Sequence, residues 1–156
     1  MANLLEVSKK MVEEEKKYAE ELEEVANKIK HPVLEALLKS IASDSRKHSM
    51  MYEVVVRLLT ETQPALSEKE LETISKAVKK HIETEAKMIE LTRKLLGETK
   101  DPKIKLIIAA IHEDEVKHHK ILLDIEKNIA EKEIVSEEEI WDSLWKDSPW
   151  HGGSGG

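Results

Sequence analysis

Apolar residues recur along most of this chain at alternating steps of three and four, the spacing of one face of an α-helix. Four such stretches follow one another, each long enough for about seven turns. We therefore predict four long amphipathic helices, each burying one stripe of side chains. The predicted stripes are Leu4, Ser8, Met11, Glu15, Tyr18, Leu22, Val25 and Ile29; Leu34, Leu38, Ile41, Ser45, His48, Tyr52, Val55 and Leu59; Leu71, Ile74, Val78, His81, Glu85, Met88, Thr92 and Leu95; and Ile104, Ile108, Ile111, Glu115, His118, Leu122, Ile125 and Ile129.

Prolines and a capping motif mark where these helices begin and end. Pro32 and Pro102 occupy the first position of the second and fourth helices, where a missing N–H costs least. Pro64 breaks the chain after the second helix, and Ser67 with Glu70 forms a capping box for the third. These signals predict an all-α fold with a four-helix bundle over residues 1–132.

The bundle is an internal duplication. Sliding the chain by seventy residues without a gap superimposes residues 1–60 on 71–130 and aligns the stripe glutamates, the helix-opening prolines and the stripe histidines. These aligned pairs are Glu15 with Glu85, Pro32 with Pro102 and His48 with His118. We interpret the two halves as helical hairpins of common origin.

The residues after the bundle are of a different kind. A second capping box, beginning at Ser136, precedes an apolar face and predicts a short helix within residues 133–150, followed by a flexible tail over 151–156. The apolar face consists of Ile140, Trp141, Leu144 and Trp145. This helix can cover one end of the bundle, or it can be a docking peptide for a partner; the first alternative is favoured.

Composition agrees with long helices and narrows the function. Charged residues make up 37% of the 156 residues and hydrophobic ones 40%, with no cysteine. Without cysteine there is no disulfide, thiol nucleophile or iron–sulfur ligation, which suits a reducing cytoplasm. A net charge of −7 without a basic stripe argues against nucleic acid as a partner. No apolar run approaches the ~20 residues of a membrane span, and no signal peptide is recognisable, so we expect a cytoplasmic protein.

Polar residues interrupt each stripe near its middle. They are Glu15; Ser45 and His48; His81 and Glu85; and Glu115 and His118. A carboxylate in a bundle core is costly unless it is protonated or paired with a cation. Counting residues to the helix ends places these groups at one height in antiparallel pairs. Carboxylates and imidazoles gathered in one buried layer predict a site for a transition metal such as iron, manganese or zinc.

Each of these residues also has a simpler interpretation. A single stripe histidine is more often a hydrogen-bonded core residue than a ligand, and Glu15 and Glu115 lie in charge runs that can face solvent. The coincidence of ligand types on four helices at duplicated positions favours the metal. We interpret the other histidines as structural or surface residues: His31, His112, His119 and His151.

This layout resembles the ferritin-like superfamily, its rubrerythrin (erythrin) branch in particular, over residues 3–130. In that family the first and third helices each give a Glu, the second and fourth each give Glu-x-x-His, and together they hold two irons. The resemblance implies Glu15 and Glu85 as the single glutamates and Glu115-Val-Lys-His118 as one complete Glu-x-x-His. The rubredoxin-type cysteines of full rubrerythrins are absent.

The second predicted helix departs from the Glu-x-x-His pattern of the family. Ser45-Arg-Lys-His48 keeps the histidine and has serine where the resemblance implies a bridging glutamate. A hydroxyl is a poor iron ligand, so the second metal position is weakened or filled by another residue, and the count of two ions or one stays open. His81, one turn before Glu85, is the favoured substitute, whereas Asp44 is better interpreted as a surface charge.

The resemblance implies iron chemistry: reduction of O2 or peroxide, as in di-iron oxidases and peroxidases, or the handling of iron itself. The alternative is a degenerate, non-catalytic bundle that serves protein interaction through its tryptophan-bearing C-terminal helix.

The short connection between the hairpins constrains assembly. About seven residues join a second helix ending near Thr60 to a third beginning near Glu68, and they reach roughly 24 Å. A ferritin-type crossover would have to climb some 40 Å, about the length of the helix. Residues 67–74 can form a separate crossover helix, the bundle can run up-down-up-down, or the second hairpin can pack on another subunit. We favour a homodimer, with domain swapping as one form of it.

Overall fold

The computed structural model describes residues 3–64 and 66–130, and these residues form four α-helices. They are α1 (Leu4–Lys28), α2 (Pro32–Thr60), α3 (Glu68–Glu98) and α4 (Pro102–Ala130). The chain divides into two compact units after Gln63. Antiparallel α1 and α2 form hairpin 1, and antiparallel α3 and α4 form hairpin 2. The all-α prediction and the two hairpins are confirmed, whereas the predicted helix at 133–150 and the tail at 151–156 lie outside the described residues.

Helix boundaries follow the capping signals of the sequence. Pro32 and Pro102 open α2 and α4 as predicted. The Ser67 hydroxyl accepts a hydrogen bond from the Glu70 backbone N–H at 3.1 Å, which confirms the capping box of α3. The Asp101 carboxylate caps α4 by accepting the backbone N–H of Lys103 at 2.8 Å. Because these side chains satisfy N–H groups that the first turn leaves free, the helices begin where they do.

Helix α3 is continuous from Glu68, so the alternative in which residues 67–74 form a separate crossover helix is wrong. Ser67 is the N-cap residue, so the first helical residue of α3 is Glu68. Seven residues, 61–67, therefore join α2 to α3, as the sequence predicted. Within the described residues no helix has both the length and the hydrophobicity of a membrane span.

The helices of hairpin 1 pair through small residues, which we call the pairing row. Its buried members are Ser8, Val12, Ala19 and Ala26 of α1 and Ala42, Ser45 and Ser49 of α2. Small side chains let two helix axes approach closely. The hydroxyl of Ser49 donates a 2.8 Å hydrogen bond to the backbone carbonyl of Val12, which ties the two helices together in the buried layer.

The pairing row differs from the predicted stripe of α1 and α2. Ser8 and Ser45 are shared by both, but other predicted stripe residues lie exposed beside the pairing row: Leu4, Tyr18, Val25, Leu34 and Ile41. The sequence predicts these side chains as part of a buried stripe, and they are exposed in the structure. The physical reason is that α1 and α2 carry apolar residues over a wide arc, and only the small ones permit close pairing.

Hairpin 1 therefore has two unlike flanks on either side of its pairing row. The apolar flank carries the exposed stripe residues, with Tyr18 49% and Leu34 50% exposed. The polar flank carries ion pairs between the helices. The Arg46 guanidinium donates to both carboxylate oxygens of Glu23 at 2.6 and 2.8 Å, and this hydrogen bonding holds the pKa of Glu23 below its ordinary value. The Lys16 Nζ lies 3.5 Å from the Glu53 Oε1 on the same flank.

In hairpin 2 the buried residues of α3 are Leu71, Val78 and Thr92, which are all positions of the predicted stripe, and only Val78 matches a pairing-row position of α1. The apolar flank of hairpin 2 consists of the corresponding exposed stripe positions: Met88, Leu95, Ile104 and Ile111. The duplicated register thus gives each hairpin one face of large apolar side chains exposed to solvent.

Candidate metal centre

Three predicted ligands come together in hairpin 2. Glu85 of α3 and Glu115 and His118 of α4 each offer a ligand atom, and these atoms lie within 4.8 Å of one another. The His118 Nδ1 lies 4.0 Å from the Glu85 Oε1. Glu115 and His118 are neighbours on one face of α4 because they are three residues apart. The predicted Glu-x-x-His and its opposing glutamate therefore converge.

The two carboxyl groups of this cluster interact as a coupled pair. The pKa of Glu115 is raised above its ordinary value, first by its hydrogen bond with Glu85, then by burial, and then by the negative charge of Glu85. The hydrogen bond with Glu85 and the negative charge of Glu85 thus favour the protonated form of Glu115 over its ionised form. A bound cation can take the place of that proton.

One atom of the cluster lacks any hydrogen-bond partner. The Oε2 of Glu85 is buried and unpaired among the described residues. A buried carboxylate oxygen without a hydrogen-bond donor loses its hydration and gains no interaction in return, which raises the free energy of the folded state. Two carboxylates and one imidazole form a donor set that suits iron, manganese or zinc better than magnesium or calcium. The residues present therefore fit a transition-metal ion.

Hairpin 1 reproduces half of this arrangement. The His48 Nδ1 lies 3.7 Å from the Glu15 Oε1, and both glutamates at the duplicated position, Glu15 and Glu85, have side chains 17% exposed. The matching histidines, His48 and His118, are 50% and 49% exposed at the side chain. Ser45, which replaces the third ligand, is 5% exposed in the pairing row. Hairpin 1 thus offers two of the predicted ligands at nearly identical geometry.

The remaining candidate ligands lie apart from the cluster. His81 is exposed on α3 and is not among the three residues that converge. Asp44 forms an ion pair with Lys47 at 3.1 Å, as a surface charge does. The structure therefore brings together three of the predicted site residues in hairpin 2 and two in hairpin 1.

Two of the histidines that the sequence assigns to structural or surface roles form hydrogen bonds. The His112 Nδ1 lies 2.7 Å from the Thr92 hydroxyl in hairpin 2, and His31 caps α2 by accepting the Leu34 N–H at 3.4 Å. The Nδ1 of His119 is buried without a partner in the described part of the chain. His151 lies outside the described residues. The stripe pattern did not reveal this pair, because Thr92 belongs to the predicted stripe of α3 but His112 does not belong to that of α4.

The ligands lie toward the apolar flank of each hairpin. His48 is flanked by exposed Ile41 on α2, and His118 by exposed Ile111 on α4, each seven residues earlier on the same side of the helix. A surface that covers this flank would also cover the ligands and exclude water from them. Comparisons with protein-family models, with curated proteins and with solved structures find no match to this chain.

Proposed function

We propose that this chain is a ferritin-like, transition-metal-binding helical protein whose principal site is formed by Glu85, Glu115 and His118. The observation that carries the proposal is the convergence of these three residues, one of which, Glu85, has a carboxylate oxygen that is buried and without a hydrogen-bond partner in the described part of the chain. The same residue types recur at the same register in hairpin 1. A chance meeting of surface residues would not be expected to recur at the duplicated position. The recurrence therefore favours a binding site.

Each residue has a definite role in this proposal. Glu85 and Glu115 hold the metal through their carboxylates and neutralise its charge, and His118 supplies the imidazole nitrogen. Glu15 and His48 form a second, weaker position in hairpin 1. Iron is the metal that the resemblance implies, and manganese or zinc fits the same donors.

A metal held with an open coordination position supplies Lewis acidity and, when it is iron, the electrons for reducing O2 or peroxide. The chain itself contributes two neighbouring carboxyl groups, and a bound cation would offset the repulsion from Glu85 that helps to raise the pKa of Glu115. Once the apolar flank is covered, the apolar side chains around the ligands would exclude water and lower the local dielectric, which strengthens the hold on the cation.

The apolar flanks support a four-helix bundle as the working assembly. A face of large exposed side chains such as Ile41 and Ile111 is rarely left uncovered in a monomeric protein. We propose that each flank is covered by a second hairpin, in a homodimer for which domain swapping is one form. The seven-residue connection, with a reach of roughly 24 Å, disfavours a ferritin-type crossover inside one chain.

Metal analysis of the purified protein tests this function. We expect bound transition metal, and we expect an absorption change when Fe(II) and air are added to the metal-free protein. The double variant Glu115→Ala, His118→Ala should lose the metal, because only one of three principal ligands remains. The matched control is Glu113→Ala, Lys117→Ala, which alters two exposed residues of the same turns and should keep it.

Unchanged metal content in the ligand double variant would contradict the proposal. A chain without metal in any preparation would instead favour the alternative of a non-catalytic bundle that acts through protein interaction.

A further inference from the structure

The outer face of α4, on the side away from α3, is buried near the end of the helix. Asn128 is only 4% exposed, and the Oδ2 of Asp124 is buried. Glu115 points toward α3, because it meets Glu85 there. At about 100° per residue, Asp124 lies roughly 180° and Asn128 roughly 140° around the helix from Glu115. Helix α3 therefore cannot be what covers them.

The duplication provides an internal comparison for this face. Leu58 and Val54 occupy the corresponding positions of α2, and they are 49% and 45% exposed. The usual order is reversed, since the apolar residues face solvent and the polar ones are buried. Because both hairpins share one register, the cover on α4 comes from something that α2 lacks.

The buried polar atoms show what chemistry this cover must have. Asn128 donates its Nδ2 to the backbone carbonyl of Asp124 at 2.8 Å, which fixes the amide so that its Oδ1 is left as a free acceptor. This Oδ1 and the Oδ2 of Asp124 are both buried, and neither has a hydrogen-bond partner within residues 3–64 and 66–130. The surface that covers them must bring hydrogen-bond donors together with apolar area.

We propose that the C-terminal segment, residues 131–156, folds back along the outer face of α4 and packs its tryptophans against Ile121, Asp124 and Asn128. The chain leaves α4 at Ala130, two residues beyond Asn128. The face from Ile121 to Asn128 is about 10 Å long, so a short reversal reaches all of it. The end of α2 has no such segment, since it continues through residues 61–67 into α3.

The composition of the segment matches the requirement. It contains every tryptophan of the protein, Trp141, Trp145 and Trp150. An indole combines a large apolar ring with a single N–H donor, and buried tryptophans normally give that donor to an acceptor. A carboxylate and an amide oxygen without partners are suitable acceptors. This packing does not depend on the metal, so it stands or falls separately from the proposed function.

Tryptophan fluorescence of the full chain tests the docking, because the signal arises only from this segment. We expect emission at shorter wavelength than in the urea-unfolded protein. Asn128→Lys should shift it toward the unfolded value and increase proteolysis after residue 130 several-fold. Leu58→Lys, the matched control at the duplicated position of hairpin 1, should change neither. Native emission equal to that of the unfolded protein, or equal shifts in both variants, would overturn the proposal.

Cysteine crosslinking gives a second measurement that does not require a disruptive charge. The chain has no cysteine of its own. We expect Ile121→Cys combined with Trp141→Cys, Leu144→Cys or Trp145→Cys to form a disulfide within one chain in at least one of the three pairs. Met51→Cys, at the duplicated position of Ile121, should form none with the same partners. Disulfides only between chains would show that a second copy covers this face, and no disulfide in any pair would show that the segment lies elsewhere.

Discussion

At the scale of single residues, positions 45 and 115 separate the two hairpins. Both occupy the same register, yet Glu115 completes a cluster with Glu85, and Ser45 is buried in the pairing row at 5% exposure. A buried hydroxyl needs one hydrogen bond, whereas a buried carboxylate needs a cation or a proton. Serine thus avoids the electrostatic cost of a buried carboxylate in hairpin 1, and it also lacks the carboxylate that the proposed metal site would use.

Restoring the carboxylate should restore the ligand. We expect Ser45→Glu to raise the number of metal ions bound per chain or to tighten the weaker one, because it recreates Glu-x-x-His beside Glu15. Without metal the same variant should melt at lower temperature, since it buries a charge in the pairing row. Ser43→Glu, an exposed position on the same helix, is the control for added charge. If both variants bind metal like the parent chain, residue 45 does not face the site.

The pKa of Glu115 leads to a pH prediction for the metal-free protein. A carboxyl whose pKa is raised in the folded state contributes stability that is complete below the ordinary value of 4.5 and is lost as pH rises through the raised pKa. Glu115→Gln removes that titration while keeping the shape and a hydrogen-bond donor. We therefore expect the metal-free variant to lose less stability than the parent between about pH 4.5 and neutrality.

Thermal melting of both metal-free proteins over this pH range checks the prediction. Glu113→Gln, at an exposed position, is the control and should follow the parent. Parallel pH profiles for Glu115→Gln and the parent would mean that the pKa of Glu115 is not raised in the folded protein.

At the scale of elements, helix caps explain why the two hairpins begin α2 and α4 differently. The Asp101 carboxylate accepts hydrogen bonds from two backbone N–H groups of α4 at 2.8 and 3.3 Å. The His31 ring accepts only one from α2, at 3.4 Å. We expect Asp101→Ala to destabilise the protein by about 1 kcal/mol. His31→Asp should stabilise it by a few tenths to about 1 kcal/mol, because a carboxylate also favours the positive end of the helix. Chemical denaturation measures both changes.

The helices and their ends could be predicted from the sequence, because proline, capping serine and apolar spacing act locally. The residues that form the pairing row could not be predicted from the sequence. Tyr18 and Ala19 both continue an apolar pattern at helical spacing, and only contact with α2 decides that Ala19 is buried and Tyr18 exposed. The recurrence of alanine and serine at Ser8, Ala19 and Ala42 was the signal for close pairing.

The candidate site could be predicted in part for the same reason. Residues at fixed spacing on duplicated helices, such as Glu115 and His118, converge because helix geometry is regular. His81 obeys the same spacing but remains exposed, since its position is on the apolar flank and no described neighbour draws it toward Glu85. The burial of Asn128 had no sequence signal, because it depends on what covers α4 from outside hairpin 2.

At the scale of the whole molecule, the exposure of the two apolar flanks and the exposure of the proposed ligands are connected. Burying large side chains stabilises by roughly 25 cal/mol per Å² of apolar surface, so flanks as exposed as these favour association. The ligands are carried on those flanks, so the same association would remove them from water. Metal binding and assembly should therefore depend on each other.

A charge placed at one duplicated flank position tests this dependence. Ile41 and Ile111 are identical residues at matching positions, 45% and 46% exposed. We expect Ile41→Lys together with Ile111→Lys to reduce the mass measured by light scattering to that of one chain and to weaken metal retention, because a buried lysine without a partner is costly. The double variant Ser43→Lys, Glu113→Gln adds the same net charge at exposed positions and should retain both properties. An unchanged mass with unchanged metal content would show that the apolar flanks do not pack on a second hairpin. A lower mass with full metal content would show instead that Glu85, Glu115 and His118 hold the ion within a single hairpin.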